Sequence, residues 1–293
     1  MRIRATVAAV TGALTLSALV VPVAQAASAD GVALHKPSGA EVFGAASGRS
    51  ALRTAAAAAE PTVTSVSVNG GKNVVLGTTT VKTFTVSVTA THASGIEDAY
   101  IDLWHGSDPE EADGYLPPNE DAATCKAASA TKSTCKLTIT ARAGLNGDGV
   151  GDLYANALAG SWHVSVGVLA KDQSVYYTDF YKTHKVQRLS KLTVNAAPEP
   201  VKKGATITVT GKLTRADWEA RKYVGIPSGQ SVSLQFRKAS SSSYSTVKGI
   251  KTTSGGALKT TVKAASDGYH RFNYKGITST AASVAAGDYV DVK

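Results

Sequence analysis

Apolar and polar residues alternate along most of this 293-residue chain from about residue 61 onward. Residues 62–68 and 81–88 follow a period of two, and the turn sequence Asn69-Gly70-Gly71 lies between them. Such alternation is typical of strands, because successive side chains point to opposite faces of a sheet. Further stretches with this period are residues 99–104, 136–140, 162–170, 175–186, 191–194, 205–213, 232–236, 244–250, 257–262, 269–274 and 289–292.

The stretch 99–104 sorts its side chains by chemistry. Tyr100, Asp102 and Trp104 fall on one face, and Ile101 and Leu103 fall on the other. The spacing therefore predicts a strand with an aliphatic face and a face that carries the aromatic and acidic side chains.

The strands recur every ten to twelve residues in two cycles, with Gly, Ser or Pro between them. Six or seven strands in residues 61–188 and a second set in 189–293 indicate two sandwiches. In both cycles a glycine turn precedes an aromatic that begins a strand, at Trp162 and at Tyr269. Residues 215–223 are the one stretch that predicts a helix, with Trp218 as its buried anchor.

The second cycle resembles a bacterial immunoglobulin-like domain. The resemblance is carried by Leu192-Thr-Val-Asn-Ala-Ala-Pro-Glu-Pro-Val-Lys-Lys-Gly204 and by residues 206–213, 232–238, 244–248 and 256–262. The whole chain is similar to two-domain exported proteins of actinomycetes that carry such domains. The resemblance implies an all-β protein with two tandem immunoglobulin-like β-sandwiches, and it implies little about activity, because such motifs specify fold.

The amino terminus has the composition of a signal peptide. Arg2 and Arg4 precede an apolar run over residues 5–23, and Ala24-Gln25-Ala26 supplies the small residues of a cleavage site. We therefore expect a signal peptide over residues 1–26, a disordered Ala/Gly/Ser-rich linker over 27–60, and an extracellular, secreted product. No later stretch reaches the roughly 18 apolar residues of a spanning helix, so we expect no membrane span after cleavage.

Charge divides the two predicted domains. Residues 61–189 carry 10 basic and 13 acidic side chains, a net charge of −3, whereas residues 190–293 carry 16 and 6, a net charge of +10. A basic second domain could bind an anionic cell-envelope polymer, or its lysines could simply maintain solubility. The expected partner is a cell-envelope polymer or an extracellular protein, and nucleic acid is not expected.

Two cysteines, Cys125 and Cys135, are the only ones in the chain. An even number in an exported protein predicts one disulfide. A bridge closing a loop of about ten residues contributes about 2–3 kcal/mol.

The most distinctive segment is acidic. Residues 97–121 hold nine Asp or Glu and no Lys or Arg, a density of oxygen ligands that suits a hard cation such as calcium. A nearby turn, residues 146–152, resembles the middle of a calcium loop but lacks its first and twelfth ligands, so an ordinary Asn-Gly and Asp-Gly turn competes with the calcium interpretation. The candidate calcium ligands are Asp108, Asp113, Glu120, Asp121, Asn146, Asp148 and Asp152.

Catalytic patterns are absent from the sequence. The six histidines have no metal-ligand spacing, and no nucleophile elbow, phosphate loop or dinucleotide fingerprint occurs. The sequence therefore predicts a non-enzymatic structural or binding protein without catalytic residues, with calcium as its one candidate cofactor. The alternative is a carbohydrate- or cell-wall-binding module that uses the basic surface and aromatics, Tyr176 and Tyr177 foremost.

Overall fold

The computed structural model describes residues 34–44, 59–144 and 151–293. The predicted signal peptide lies outside these ranges. Within them the chain is almost entirely β, and no described helix is long and apolar enough to cross a membrane. The elements are α1 (Gly39–Phe43), β1 (Thr62–Val68), β2 (Val74–Leu76), β3 (Val81–Thr91), β4 (Ile96–His105), β5 (Gly114–Leu116), β6 (Thr124–Ala127), β7 (Lys132–Ala143), β8 (Asp152–Leu153), β9 (Gly160–Ala170), β10 (Val175–Arg188), β11 (Ser190–Leu192), β12 (Asn195–Ala197), β13 (Thr206–Asp217), β14 (Lys222–Gly225), β15 (Ser231–Lys238), β16 (Ser245–Lys251), β17 (Ala257–Lys263), β18 (Gly268–Tyr274), β19 (Ser283–Val284) and β20 (Asp288–Val290).

The first sandwich consists of two five-stranded sheets. One sheet has the order β1-β3-β7-β6, with β8 beside β7, and the other has the order β2-β10-β9-β4-β5. The N-terminal part of the sandwich contributes one edge strand to each sheet: β1 pairs antiparallel with β3, whereas β2 pairs parallel with β10. This is the strand order of an immunoglobulin-like sandwich, so the predicted fold class is confirmed.

The second sandwich is likewise built from two five-stranded sheets. In one sheet the long β13 pairs with β11, β12, β14 and β17. The other sheet has the order β16-β15-β18, with β19 and β20 beside β18. Each sandwich has its own apolar core, as expected when each pair of sheets buries its facing sides.

The predicted faces of β4 are confirmed. Ile101 and Leu103 are fully buried in the first core. Asp102 and Trp104, on the opposite face, are also fully buried, which the alternation alone does not predict. The outer side of this sheet is therefore covered by another part of the chain.

The disulfide is confirmed between Cys125 and Cys135, which face each other on β6 and β7 with 3.9 Å between their Cα atoms. It links neighbouring strands of one sheet rather than the two sheets.

The predicted helix over residues 215–223 is wrong. This stretch is a β-hairpin, in which the end of β13 pairs with β14 through Arg215 opposite Val224 and Ala216 opposite Tyr223. The turn between them has Arg221 at a positive φ of 53°. Pairing across the hairpin and burial of Trp218 override the helical propensity of the local sequence.

The hairpin of β13 and β14 reaches into the first sandwich. Ala216 and Trp218, although they follow the second sandwich's longest strand, belong to the core cluster of the first. Asn156 of the first sandwich holds the hairpin in place: its Oδ1 accepts from Arg188 Nη1 at 2.7 Å and from the Trp218 amide at 3.0 Å, and its Nδ2 donates to Asp217 Oδ1 at 2.9 Å. We call this set of contacts the interlock.

Candidate functional site

The outer face of the sheet containing β4, β9 and β10 is covered by residues 34–44. This stretch lies within the predicted disordered linker, yet it forms α1, whose start is capped reciprocally by Ser38 and Glu41. Two glycines permit the close contact: a Cβ added to Gly39 would lie 2.6 Å from the Tyr177 ring, and one added to Gly167 would lie 2.5 Å from the Phe43 ring. We call residues 34–44 the covering segment.

Lys36 places its ammonium group beneath the covering segment, where 1% of its side chain is exposed. Its Nζ makes its shortest contact with Asp179 Oδ1. It also donates to the Tyr177 hydroxyl at 2.9 Å and to the Pro37 carbonyl at 3.3 Å, and it lies 4.0 Å from Asp102 Oδ2. One amine thus lies between two carboxyl groups.

Asp102 is the more buried of the two acids. Its side chain has no exposure, and within the described part of the chain its Oδ1 has no hydrogen-bond partner. Its Oδ2 accepts from the Tyr100 hydroxyl at 3.1 Å. Burial raises the pKa of Asp102 to about 6, although nearby Lys36 acts in the opposite direction.

Asp179 owes its position to an irregularity in β10. The register between β9 and β10 shifts between Thr178 and Lys182, so that the residues between them bulge from the ladder. A bulge redirects side chains locally. The Asp179 carbonyl accepts from Trp104 Nε1 at 3.0 Å, and its Oδ1 accepts from the Tyr177 hydroxyl at 3.0 Å.

Three tyrosines complete the surroundings of this cluster. The Tyr100 and Tyr115 hydroxyls lie 2.6 Å apart. Burial, followed by the negative charge of Asp102, raises the pKa of Tyr100, Tyr115 and Tyr177. These hydroxyls therefore remain protonated, and those of Tyr100 and Tyr177 donate to Asp102 and Asp179.

The acidic residues predicted to bind calcium are engaged mostly with the protein itself. Asp108 caps the turn at Pro109–Glu111 by accepting from the Glu110 amide at 3.0 Å. Asp113 Oδ1 lies 2.6 Å from His105 Nδ1.

Glu120 accepts from the amide and hydroxyl of Thr138 at 2.7 and 2.6 Å. Burial acts to raise the pKa of Glu120, but these hydrogen bonds outweigh it and lower the pKa. Asp121 is exposed, and Asp152 lies with its Oδ1 3.7 Å from Arg142 Nη1.

Asn146 and Asp148 lie outside the described residues. Over residues 34–44, 59–144 and 151–293, no three His, Cys, Asp or Glu side chains come together as a metal site would require. The arrangement of the described acids therefore adds no support to calcium beyond the composition of the segment.

Tyr176 and Tyr177 do not present a shared aromatic surface. As neighbours on β10 they point to opposite faces. The Tyr177 ring contacts the covering segment, and its hydroxyl is bonded to Lys36 and Asp179. Tyr176 is half-buried.

Another aromatic surface lies on the outer face of the second sandwich, which the sequence analysis did not single out. The Arg237 guanidinium lies 3.8 Å from the centre of the Tyr269 ring, and that of Arg271 lies 3.6 Å from the Tyr244 ring. Tyr289, 38% exposed, adjoins Tyr269 at 5.2 Å between ring centres. We call these five side chains the arginine–tyrosine face. Alternation in β15 and β18 places Arg237, Tyr269 and Arg271 together and could have revealed it.

Comparisons with known proteins give only distant likenesses. No family model matches, and no curated protein matches. The solved structures that align include the mouse nectin-like molecule 4 ectodomain (TM-score 0.25, 12% identity, 80% of this chain and 65% of that chain). They also include the D00-D0 domain of intimin (TM-score 0.24, 13% identity, 77% and 99%) and the Escherichia coli adhesin FdeC (TM-score 0.30, 16% identity, 77% and 66%). Because these TM-scores and sequence identities are low, the assignment of the fold rests on the strand order itself.

Proposed function

We propose that this chain is a secreted, non-enzymatic protein with a structural or binding role outside the cytoplasm. The interlock is the observation that carries the proposal. Trp218 is buried in the core of the first sandwich although it directly follows β13 of the second, and Asn156 bonds to residues on both sides of the junction. A junction stiffened in this way suits a spacer or display element, because it fixes the loops of both sandwiches in one frame.

Polar contacts along the β10–β11 connection add to this support. Gln187 Nε2 donates to the Ile277 carbonyl at 2.7 Å, and Ser190 Oγ donates to the Ala281 carbonyl at 2.7 Å. The connection is thus held by the second sandwich on one side and by Leu76 of the first, whose carbonyl accepts from the Leu189 amide at 2.7 Å. Such a junction restricts the domain motion that a flexible linker allows.

Backbone ¹⁵N relaxation on the protein tests the proposal. We expect the amides of both sandwiches to fit one common tumbling tensor. The Asn156→Ala variant should loosen the junction and separate the two sets. Asn119→Ala should not, because this exposed asparagine bonds to Thr138 and Thr140 within the first sandwich. Two independent correlation times in the unaltered protein would contradict a stiff structural unit.

A second candidate, binding of an anionic cell-wall polysaccharide, is favoured by the arginine–tyrosine face. Guanidinium groups recognise carboxylate or phosphate, and the exposed Tyr289 ring offers a surface for a sugar. The net charge of +10 over residues 190–293 would attract such a polymer. This candidate moves the predicted carbohydrate surface from Tyr176 and Tyr177 to the second sandwich.

Co-sedimentation with a cell-wall preparation containing teichoic acid tests this candidate. The Arg237→Ala/Arg271→Ala variant should lose at least tenfold in retained protein. The matched control, Lys202→Ala/Lys203→Ala, removes the same charge at two exposed positions of the same sandwich and should retain binding. Equal losses in both variants would reduce the interaction to net charge and contradict a specific face.

Calcium binding by the acidic segment stays a prediction. Isothermal titration of the protein with calcium at millimolar concentration is the test, with Asp121→Asn as a variant because Asp121 is exposed. The prediction fails if neither heat nor a shift in melting temperature is observed.

A further inference from the structure

The Lys36 cluster combines three features that an ion pair alone does not need. The amine is buried, its nearest atom is a carboxylate oxygen of Asp179, and a second, fully buried acid lies within 4.0 Å. Burying separated charges is costly, and the ion pair recovers the cost only when every polar atom is satisfied. Asp102 Oδ1 is unsatisfied among the described residues. An ionised Lys36–Asp179 pair beside the buried Asp102 is therefore an energetically unfavourable arrangement.

The same three groups have the roles that amide formation requires. A deprotonated Lys36 Nζ is a nucleophile, and the Asp179 carboxyl carbon, in its protonated acid, is an electrophile. Asp102 is placed to move protons between them, and the elevated pKa that burial gives it matches this task near neutral pH. The Tyr177 hydroxyl, which donates to Asp179 Oδ1 at 3.0 Å, would stabilise negative charge on that oxygen.

We propose that Lys36 and Asp179 join in an intramolecular amide bond, with Asp102 as the proton carrier. Nζ attacks Cγ of Asp179, and a C–N bond forms. Asp102 accepts a proton from the nitrogen and delivers it to the departing hydroxyl of Asp179, so the C–O bond breaks and one water leaves. Nothing is oxidised or reduced, and Asp102 ends in the protonation state in which it began.

The site favours condensation over hydrolysis. Groups held in contact react as though at very high concentration, because the entropy of bringing them together has already been lost in folding. The covering segment and the tyrosines keep the nitrogen away from bulk water, with 1% of the Lys36 side chain exposed. The product also replaces a buried ammonium group and a partly buried carboxylate by one neutral amide. The reaction takes place once in each chain and consumes its own side chains, so it does not make the protein an enzyme.

The bond would fix the covering segment to β10. Residues 34–44 would then remain on the sheet even when the intervening chain is pulled or cleaved. The outer face of the first sandwich would be a permanent second core rather than a site waiting for a ligand, which goes beyond the proposed structural role.

Intact mass spectrometry of the full purified chain, reduced beforehand, tests the proposal. We expect a mass lower than that of the processed sequence by one water, about 18 Da, because condensation expels one water. Tandem spectra of a protease digest should contain a branched peptide joining Lys36 to Asp179. An unmodified mass together with separate linear peptides would overturn the proposal without any variant.

Variants distinguish an amide bond between Lys36 and Asp179 from an ion pair between the same two residues. Lys36→Arg and Asp179→Ala should restore the full mass. Asp102→Asn keeps both reacting partners and should also restore it, whereas Lys171→Arg, a change at an exposed lysine, should leave the water loss intact. Circular dichroism of each variant checks that it is folded. A folded Asp102→Asn variant that still loses water would overturn the role given to Asp102.

Discussion

Truncating Trp218 tests whether the two sandwiches share a core. Its side chain is 1% exposed and belongs to the first core cluster, although residue 218 follows β13 of the second sandwich. Its Nε1 has no hydrogen-bond partner among the described residues, so the side chain contributes by packing. Trp218→Ala should therefore lower the free energy of unfolding by about 3–5 kcal/mol, the range for removing a large aromatic from a core.

Hydrogen–deuterium exchange, read by peptide, locates the effect. Protection should fall in β10 of the first sandwich, which contacts β13, as well as in β13 itself. Trp218→Phe retains an aromatic ring and should lose less than half as much stability, because most of the volume is still filled. A loss of protection confined to residues 206–274 would refute the assignment of Trp218 to the first core.

Three further predictions concern buried and cross-linked groups. The carboxyl carbon of Asp102 should titrate in NMR with a midpoint at about pH 6, and a midpoint near 4 would mean that the acid is solvated. Burial lowers the pKa of His270 below 6.5, so the folded state favours the neutral ring. The stability that the lowered pKa of His270 contributes is complete above pH 6.5 and is lost as pH falls toward the folded pKa. The His270→Phe variant should therefore show a flatter decline of stability when urea denaturation is compared between pH 7.5 and 5. Replacing Cys125 and Cys135 together by serine should cost about 2–3 kcal/mol in the same assay, and an unchanged midpoint would show that the bridge contributes nothing.

Much of the fold follows from alternation along the sequence. On β4, where Ile101 and Leu103 are buried in the core, the period of two is visible and predicts the strand and its two faces. The short edge strands β5 and β6 were not predicted, because three or four residues carry too little periodic signal to stand out from a loop.

The candidate site was largely invisible in the sequence. Lys36 is a single lysine in a stretch that looks like a linker, and its partner Asp179 is 143 residues away. Only tertiary structure brings them together. The one local signal is that Asp102 shares a face of β4 with Tyr100 and Trp104. Trp218 was misassigned to a helix for a similar reason, because its burial depends on another domain.

Differential scanning calorimetry of the full protein tests the central claim, that the two sandwiches are interlocked as one structural unit. The account predicts a single transition whose calorimetric enthalpy equals its van't Hoff enthalpy. Two resolved transitions, each assignable to one sandwich, would contradict it.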